Sequence, residues 1–557
     1  MSRGSFVRGA AILAVAGLAN RVVGAISRII LPAMIGDEGM GLFQMAYPIY
    51  SMFLVFSTAG VPVAVSKLVA EQAAKGNRRG TRYILRVATM ILAFTGIFST
   101  AVLFMTAGYL SRVVLKDTRA AYSIYATAPA VLILSVMSGF RGYFQGLQRM
   151  ETSAASQIGE QLIRVFFMIG LAYILLPRGI EYSAAGAAFG AVAGGVAGFA
   201  ILIAAYYRGG VPGIDGGEAV ALTAGTGTGA GTGSGSGSEG VSPARVVDPY
   251  MRSSTALAVQ VFSLSLPIVL GAAIMPLMQV VDAALVPVRL HAAGILGAEV
   301  TRLYGQLTGM ALPLVYFPTV LTTALATSAV PAVSEAVAFQ DRRLLLSRAQ
   351  DIVWLGFLIG LPASLGLYLL ADEFCMMFYR LPQAGVSLRA LAFGTLFLCL
   401  QQTSSGVLQG LGAVSIPVKN LLKGAIVKAI VNYVLTGIPA IGIRGAALGT
   451  VAGFGLSSIL NIIDLYKMLG LSLDVRDKVA KPVLATFVMG IAVIVVYDGV
   501  MRATGSNTLG ALGATTAGAG VYGLTLLATG ALHQKDIEML PMGKRLARLL
   551  VRLKLIR

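Results

Sequence analysis

Long apolar runs recur from one end of this chain to the other, and they restrict its possible folds more than any other feature. A helix needs about 20 apolar residues to cross a bilayer, and the first run, Gly9 to Pro32, already exceeds that. Only 12% of the 557 residues are charged and 56% are hydrophobic, where a soluble domain is about a quarter charged. Mean hydropathy is +0.80. The runs are too long and unbroken for the short alternating strands of a β-barrel. The chain therefore reads as an all-α polytopic membrane protein.

The first run also carries charge. Gly17, Arg21, Gly24 and Arg28 are spaced 4, 3 and 4 apart, which places them on one stripe of a helix. An arginine at mid-bilayer depth costs at least roughly 2.5–3.5 kcal/mol, so this stripe is expected to face protein or a water-filled cavity. Its basic start resembles a signal peptide, but the apolar stretch is too long for one and is read as retained.

Apolar runs bounded by charge or turn residues predict fourteen spans. They lie near 8–32, 43–69, 84–109, 121–144, 157–177, 183–207, 255–286, 304–331, 350–371, 387–410, 419–439, 443–466, 481–501 and 508–532. A Gly/Ser-rich stretch after the sixth has the composition of a flexible coil. The organisation expected is a six-helix lobe over 1–208, a cytoplasmic linker over 209–253, and a second six-helix lobe over 254–470. Two further helices over 471–534 and a basic tail over 535–557 complete it.

The two lobes resemble each other. GAAFGAVAG (186–194) matches GAALGTVAG (445–453) at seven of nine positions, and FQGL (144–147) matches LQGL (408–411), 264 residues on. At that offset Arg164 falls on Lys428. Six spans return a chain to its starting side, so the two units are expected to be parallel pseudo-repeats.

Lys and Arg are spread over short loops, and the formal charge is +19. Such loops suit cytoplasmic ends facing anionic lipid, so nucleic acid is not expected as a partner and membrane lipids are. Counted that way, roughly 25 basic residues lie inside against roughly 9 outside, which places both termini in the cytoplasm of a bacterial cell membrane.

Chemistry-bearing residues are few. Gln157, Glu160, Gln161 and Arg164 form a polar stripe at i, i+3, i+4 and i+7, and Glu160 is spaced to pair with Arg164. This stripe suits a packed cytoplasmic helix end and a cavity wall equally. Lys423 and Lys428 are cavity candidates in the eleventh span, and the amides and hydroxyls of Gln401, Gln402, Ser404, Ser405 and Gln409 read mainly as helix-to-helix bonds. Asp282 is the main deep acid, with two open roles, neutralising an arginine or binding a coupling ion. Cys375 and Cys399 read as packing residues. The two histidines sit near span ends, and no phosphate-binding loop or metal-ligand spacing is present. No cofactor, no metal and no bond-making activity is expected.

Several segments carry a resemblance. NRVVGAISRIILPAMIGDEGMGLFQMAYP (20–48), GVPVAVSKLVAE (60–71) and RGYFQGLQRM (141–150) resemble the polysaccharide-exporter branch of the multidrug/oligosaccharidyl-lipid/polysaccharide superfamily. SQIGEQLIR (156–164), GIEYSAAGAA (179–188) and VPAVSEAV (330–337) narrow that resemblance to its sporulation members. The resemblance implies a two-lobed, fourteen-helix flippase acting as a monomer on a lipid-linked glycan. The cargo implied is a peptidoglycan precursor of the lipid II type for the spore cortex, with cortex-synthesis membrane enzymes as partners. Arg21 matches the first of two cavity arginines in such relatives. The second falls on Ser27, one position before Arg28, and an arginine of the relatives' second helix has no counterpart after Tyr47-Pro48-Ile49. On this footing Arg21, Arg28, Arg164, Lys423 and Lys428 are candidate substrate ligands, and Glu160 and Asp282 candidate coupling or charge-pairing acids. The rival readings are export of another lipid-linked polysaccharide, cation-coupled drug export, and a non-transporting scaffold for cortex synthesis.

Overall fold

The computed structural model describes residues 3–58, 60–208, 254–470 and 476–531. The expected linker and basic tail lie outside the described residues, as does the side chain of Arg21. The described chain is helical throughout. The first lobe comprises α1 (Arg3–Thr58), α2 (Val61–Ala74), α3 (Arg78–Tyr109), α4 (Ala120–Gly146), α5 (Met150–Leu175) and α6 (Ile180–Arg208). The second runs through α7 (Ser254–Ala292), α8 (Ala298–Gly305), α9 (Leu312–Tyr316), α10 (Thr319–Ala338) and α11 (Arg342–Leu369). It continues through α12 (Ala371–Tyr379), α13 (Gly385–Leu391), α14 (Gly394–Gly410), α15 (Ser415–Thr436) and α16 (Ile443–Leu469). A hairpin of α17 (Lys481–Thr504) and α18 (Asn507–Ala528) packs on α11 and α12.

Eleven described helices are long and apolar enough to span a membrane, or twelve with the bent α13–α14 pair, against the fourteen expected. The two shortfalls have physical causes. The first expected span continues without a loop into the second, so that the first and the opening part of the second lie in α1, interrupted at Gly36 (φ 70°) rather than at Pro32. The left-handed φ at Gly36 is one that only glycine adopts without strain. The eleventh is α15, which is less apolar because Lys419, Lys423 and Lys428 all fall within it. The second and eighth spans are also broken. Gly60 (φ 68°) with Pro62 separates α2 from α1, and a π-helical stretch, Gln306–Ala311, separates α8 from α9.

The internal repeat is visible as packing. The contacts of α4 with α2, α3 and α6 recur as those of α14 with α10, α11 and α16, and α5–α6 recurs as α15–α16. Glycines set the last of these. A Cβ at Gly194 would lie 2.6 Å from the Glu160 carbonyl oxygen and 2.7 Å from the Arg164 Cβ. One at Gly453 would lie 2.8 Å from both the Gly424 carbonyl oxygen and the Lys428 Cβ. The repeated glycine-rich motif therefore presses α6 and α16 against the backbone beneath a cation in each lobe. Large apolar side chains such as Phe94, Met105 and Phe166 point outward, as lipid contact requires.

Gly194→Ala and Gly453→Ala should each destabilise the protein by about 1–3 kcal/mol through overpacking. Gly170→Ala, in the same helix as Arg164 but with open space around it, should be neutral or stabilising by up to about 1 kcal/mol. Thermal unfolding in lipid nanodiscs checks this; equal losses at all three positions would contradict the packing account.

Candidate functional site

In the first lobe the charges converge on one carboxylate. Glu160 of α5 accepts from Arg164 one turn along through Oε1, and from Arg141 of α4 through Oε2 at 2.8 Å. Arg141 also donates to Ser156 Oγ at 3.0 Å, and Ser156 donates to the Gly198 carbonyl of α6 at 2.9 Å. Spacing on α5 places Glu160, Arg164 and Ser156 on one face, and the close α4–α5–α6 packing brings Arg141 to it. Two guanidiniums share one carboxylate, so the cluster carries a net positive charge. The Arg164 Nε and the hydroxyl of neighbouring Tyr50 are both buried without a partner.

The second lobe solves the same problem differently. Lys428 of α15, 8% exposed, is ion-paired with Asp282 of α7. Asn432 adds a contact of 3.4 Å to the same carboxylate, and Thr436 donates to Asn432 at 2.8 Å. This pair is electrically neutral. Beside it an amide network joins α14, α15 and α16. Asn420 donates to Asn461 (3.0 Å) and Asp464 (2.7 Å), and Asn461 donates to Ser404 (3.2 Å) and Ser405 (3.1 Å). Gln402 accepts from Thr322 and Thr323 of α10. An uncharged cleft of about 370 Å³ between α10 and α14 is lined by Thr323, Thr327, Gln401, Gln402, Ser405 and Gln409.

The structure thus brings together Glu160 with Arg164 and Asp282 with Lys428, but not the two cations with each other. Asp282 meets a lysine rather than an arginine. Lys423 is exposed on α15. Arg28 is also exposed, on α1, near enough to Tyr316 and Tyr379 of the second lobe for its charge to act on both. Among the described residues Arg28 has no ion-pair partner, and no three His, Cys, Asp or Glu side chains converge as metal ligands.

Sequence reasoning missed the contacts that join the lobes. At the Gly36 break, Glu38 takes Arg119 at 2.6 Å from the α3–α4 turn and Arg302 at 3.2 Å from α8. Asp117 accepts from Thr301 at 2.7 Å, Asp37 from Gln306 at 2.8 Å, and Gln44 donates to the Thr308 carbonyl at 3.0 Å. Backbones touch here as well, since a Cβ at Gly41 would collide with the Thr301 carbonyl oxygen. Burial alone would raise the Asp117 carboxyl, but bonds from Arg119 and Thr301 outweigh it and hold the group below the usual carboxylate range. Such a group stabilises the folded contacts above its unfolded pKa of about 3.9 and loses that contribution as pH falls through its lowered value. The lock should therefore be intact at neutral pH and loosen only under strong acid. Each of its residues sits at a span end, where a charged residue reads as ordinary loop, so no local signal marks it.

Residues 6–337 match the family described as polysaccharide biosynthesis protein, and residues 307–434 match the one described as MatE. Stage V sporulation protein B of Bacillus subtilis (strain 168) is 29% identical over 98% of this chain and 99% of its own length. Lipid II flippase MurJ of the same organism is 25% identical over 88% of each. Among solved structures, lipid II flippase MurJ in an inward closed conformation superposes with a TM-score of 0.64 at 12% identity, covering 93% of this chain and 98% of that one.

Cysteines introduced at positions 117 and 301 should be bridged in membranes by a short bis-maleimide, because Cys375 and Cys399 are buried and leave the background clean. Adding Glu38→Gln should lower the yield several-fold by freeing Arg302. Absence of the cross-link would show that the lobes do not meet there.

Proposed function

Because the chain belongs to the polysaccharide biosynthesis protein family, we propose that it flips an undecaprenyl-diphosphate-linked peptidoglycan precursor, of the lipid II type, for spore cortex. The chain is a membrane transporter of the multidrug/oligosaccharidyl-lipid/polysaccharide superfamily and not an enzyme. Its cargo and the direction of transport are the proposal. The observation that carries it is positive charge unpaid by any acid inside the first lobe: two arginines on Glu160, with Arg28 unpaired on α1 among the described residues. A diphosphate needs such partners to leave the headgroup layer, and bidentate guanidinium contacts suit phosphoryl oxygens. The names of the two relatives supply the substrate class, lipid II, and the setting, sporulation.

Transport by this arrangement is alternating access. With the N-terminus in the cytoplasm, the contacts of Glu38, Asp117 and Arg302 close the outer end, and the cargo enters from the inner leaflet. Separating these polar contacts and the apolar side chains packed behind them, while closing the opposite end, exposes the head group outward, and the polyprenyl tail stays in lipid between the lobes. Rocking of two similar lobes about a midplane site is the motion such repeats favour.

In spore-forming cells depleted of related flippases, this protein should restore lipid II at the outer leaflet. Arg28→Ala at equal abundance should reduce that exposure about tenfold or more, the loss expected for a charge-assisted contact of about 1.5–3 kcal/mol. If the unaltered protein supports cortex formation without exposing lipid II, the cargo is a different lipid-linked glycan or the role is that of a scaffold.

A further inference from the structure

The two pseudo-equivalent cations are not equivalent in charge. At the 264-residue offset Arg164 corresponds to Lys428, Glu160 to Gly424 and Arg141 to Ser405. The second lobe has lost both the acid and the second arginine, and its lysine turns instead to Asp282 on α7. The corresponding helix of the first lobe cannot do this: α1 contains no Asp or Glu before Asp37. Arg164 must share Glu160 with Arg141. The first lobe's cluster is left with a surplus cation and the equivalent pair of the second lobe with none.

We propose that the first lobe alone holds a phosphate-binding site, formed by Arg164 and the Tyr50 hydroxyl, with Arg141 as the positioning residue that makes Arg164 available. Tyr50 is 3% exposed, and its hydroxyl and the Arg164 Nε are buried donors with no acceptor. Tyr47, 40% exposed, lies with Tyr50 within electrostatic reach of Arg164. Phosphoryl oxygens are acceptors only, which is what the orphaned Nε of a guanidinium and the hydroxyl beside it require. When an anion arrives, Arg164 exchanges the Glu160 carboxylate for it, and Arg141, held by Ser156, keeps Glu160 neutralised. Without Arg141, Glu160 would claim Arg164 wholly. Lys428 takes no part, because moving it onto an anion would leave Asp282 buried and unpaired. The ligand chemistry is a phosphate ester or diphosphate in a lipid; identifying it with the transported lipid rests on the reading above.

The test uses the full-length protein in phosphatidylcholine nanodiscs, with radiolabelled undecaprenyl diphosphate and, separately, phosphatidylglycerol as probes. Arg141→Gln should weaken undecaprenyl diphosphate binding at least tenfold, and adding Glu160→Gln to that variant should restore it to within about threefold of the parent. A purely structural role for Arg141 predicts no such rescue. Tyr50→Phe should weaken binding several-fold without lowering the unfolding temperature. The combined Asp282→Asn and Lys428→Met variant should bind within twofold of the parent. No binding by the parent, no rescue by Glu160→Gln, or a larger loss from the Lys428 variant than from Arg141→Gln would overturn the proposal. Equal binding of phosphatidylglycerol with the same variant pattern would keep the site but assign it to bulk lipid. The full pattern with undecaprenyl diphosphate, without lipid II exposure in cells, would keep the site and remove the lipid II reading.

Discussion

A charge placed inside a bilayer must be paired, watered or neutralised, and this constraint organises the molecule. The chain meets it twice with the same scaffold. In the second lobe Lys428 and Asp282 cancel each other across α15 and α7. In the first, Glu160 is shared by Arg141 and Arg164, which leaves a positive charge without an acid. Everything around these groups serves to hold them. The glycine faces of α6 and α16 bring a neighbouring backbone within contact of each cation's own Cβ, so neither side chain can swing out by moving its helix. Uncharged amides of the second lobe then bind its helices to one another and to α10 without adding charge.

What could be read from residues alone follows from distance along the chain. The Glu160–Arg164 pair was legible because both groups lie one turn apart on a helix. The two glycine motifs were legible as repeats, and their offset correctly matched Arg164 with Lys428. Asp282 could be recognised as a deep acid, but its partner stands 146 residues away, and nothing local distinguishes a lysine partner from an arginine. Arg141 was hidden in a motif that reads as a helix end. The interlobe contacts were the least legible, because Glu38, Asp117 and Arg302 acquire meaning only when three separate span ends converge. The boundary of the first span shifted for a related reason. Proline at position 32 looked like a terminator, whereas the helix continues to the left-handed φ at Gly36.

The breaks fall where motion would need them. Gly36 separates the two halves of α1 beside Glu38, and the π-helical stretch Gln306–Ala311 lies directly against it across the lobe boundary. Helical irregularities of this kind mark positions that can rearrange without unfolding a whole span. A polar lock at one end, backed by a buried apolar cluster that draws on both lobes, and glycine-tight packing within each lobe together describe two bodies joined at that end.

In the proposed transport cycle these bodies rock about a cationic first lobe when a lipid-linked anion binds. Spin labels at Tyr109 and Leu296, both exposed near the locked end, and at Glu151 and Phe339, near the other, report it most directly. In nanodiscs, adding the undecaprenyl-diphosphate-linked precursor should lengthen the first distance and shorten the second, and Arg164→Ala should abolish both changes. Distances that stay fixed, or that lengthen together, would contradict the account.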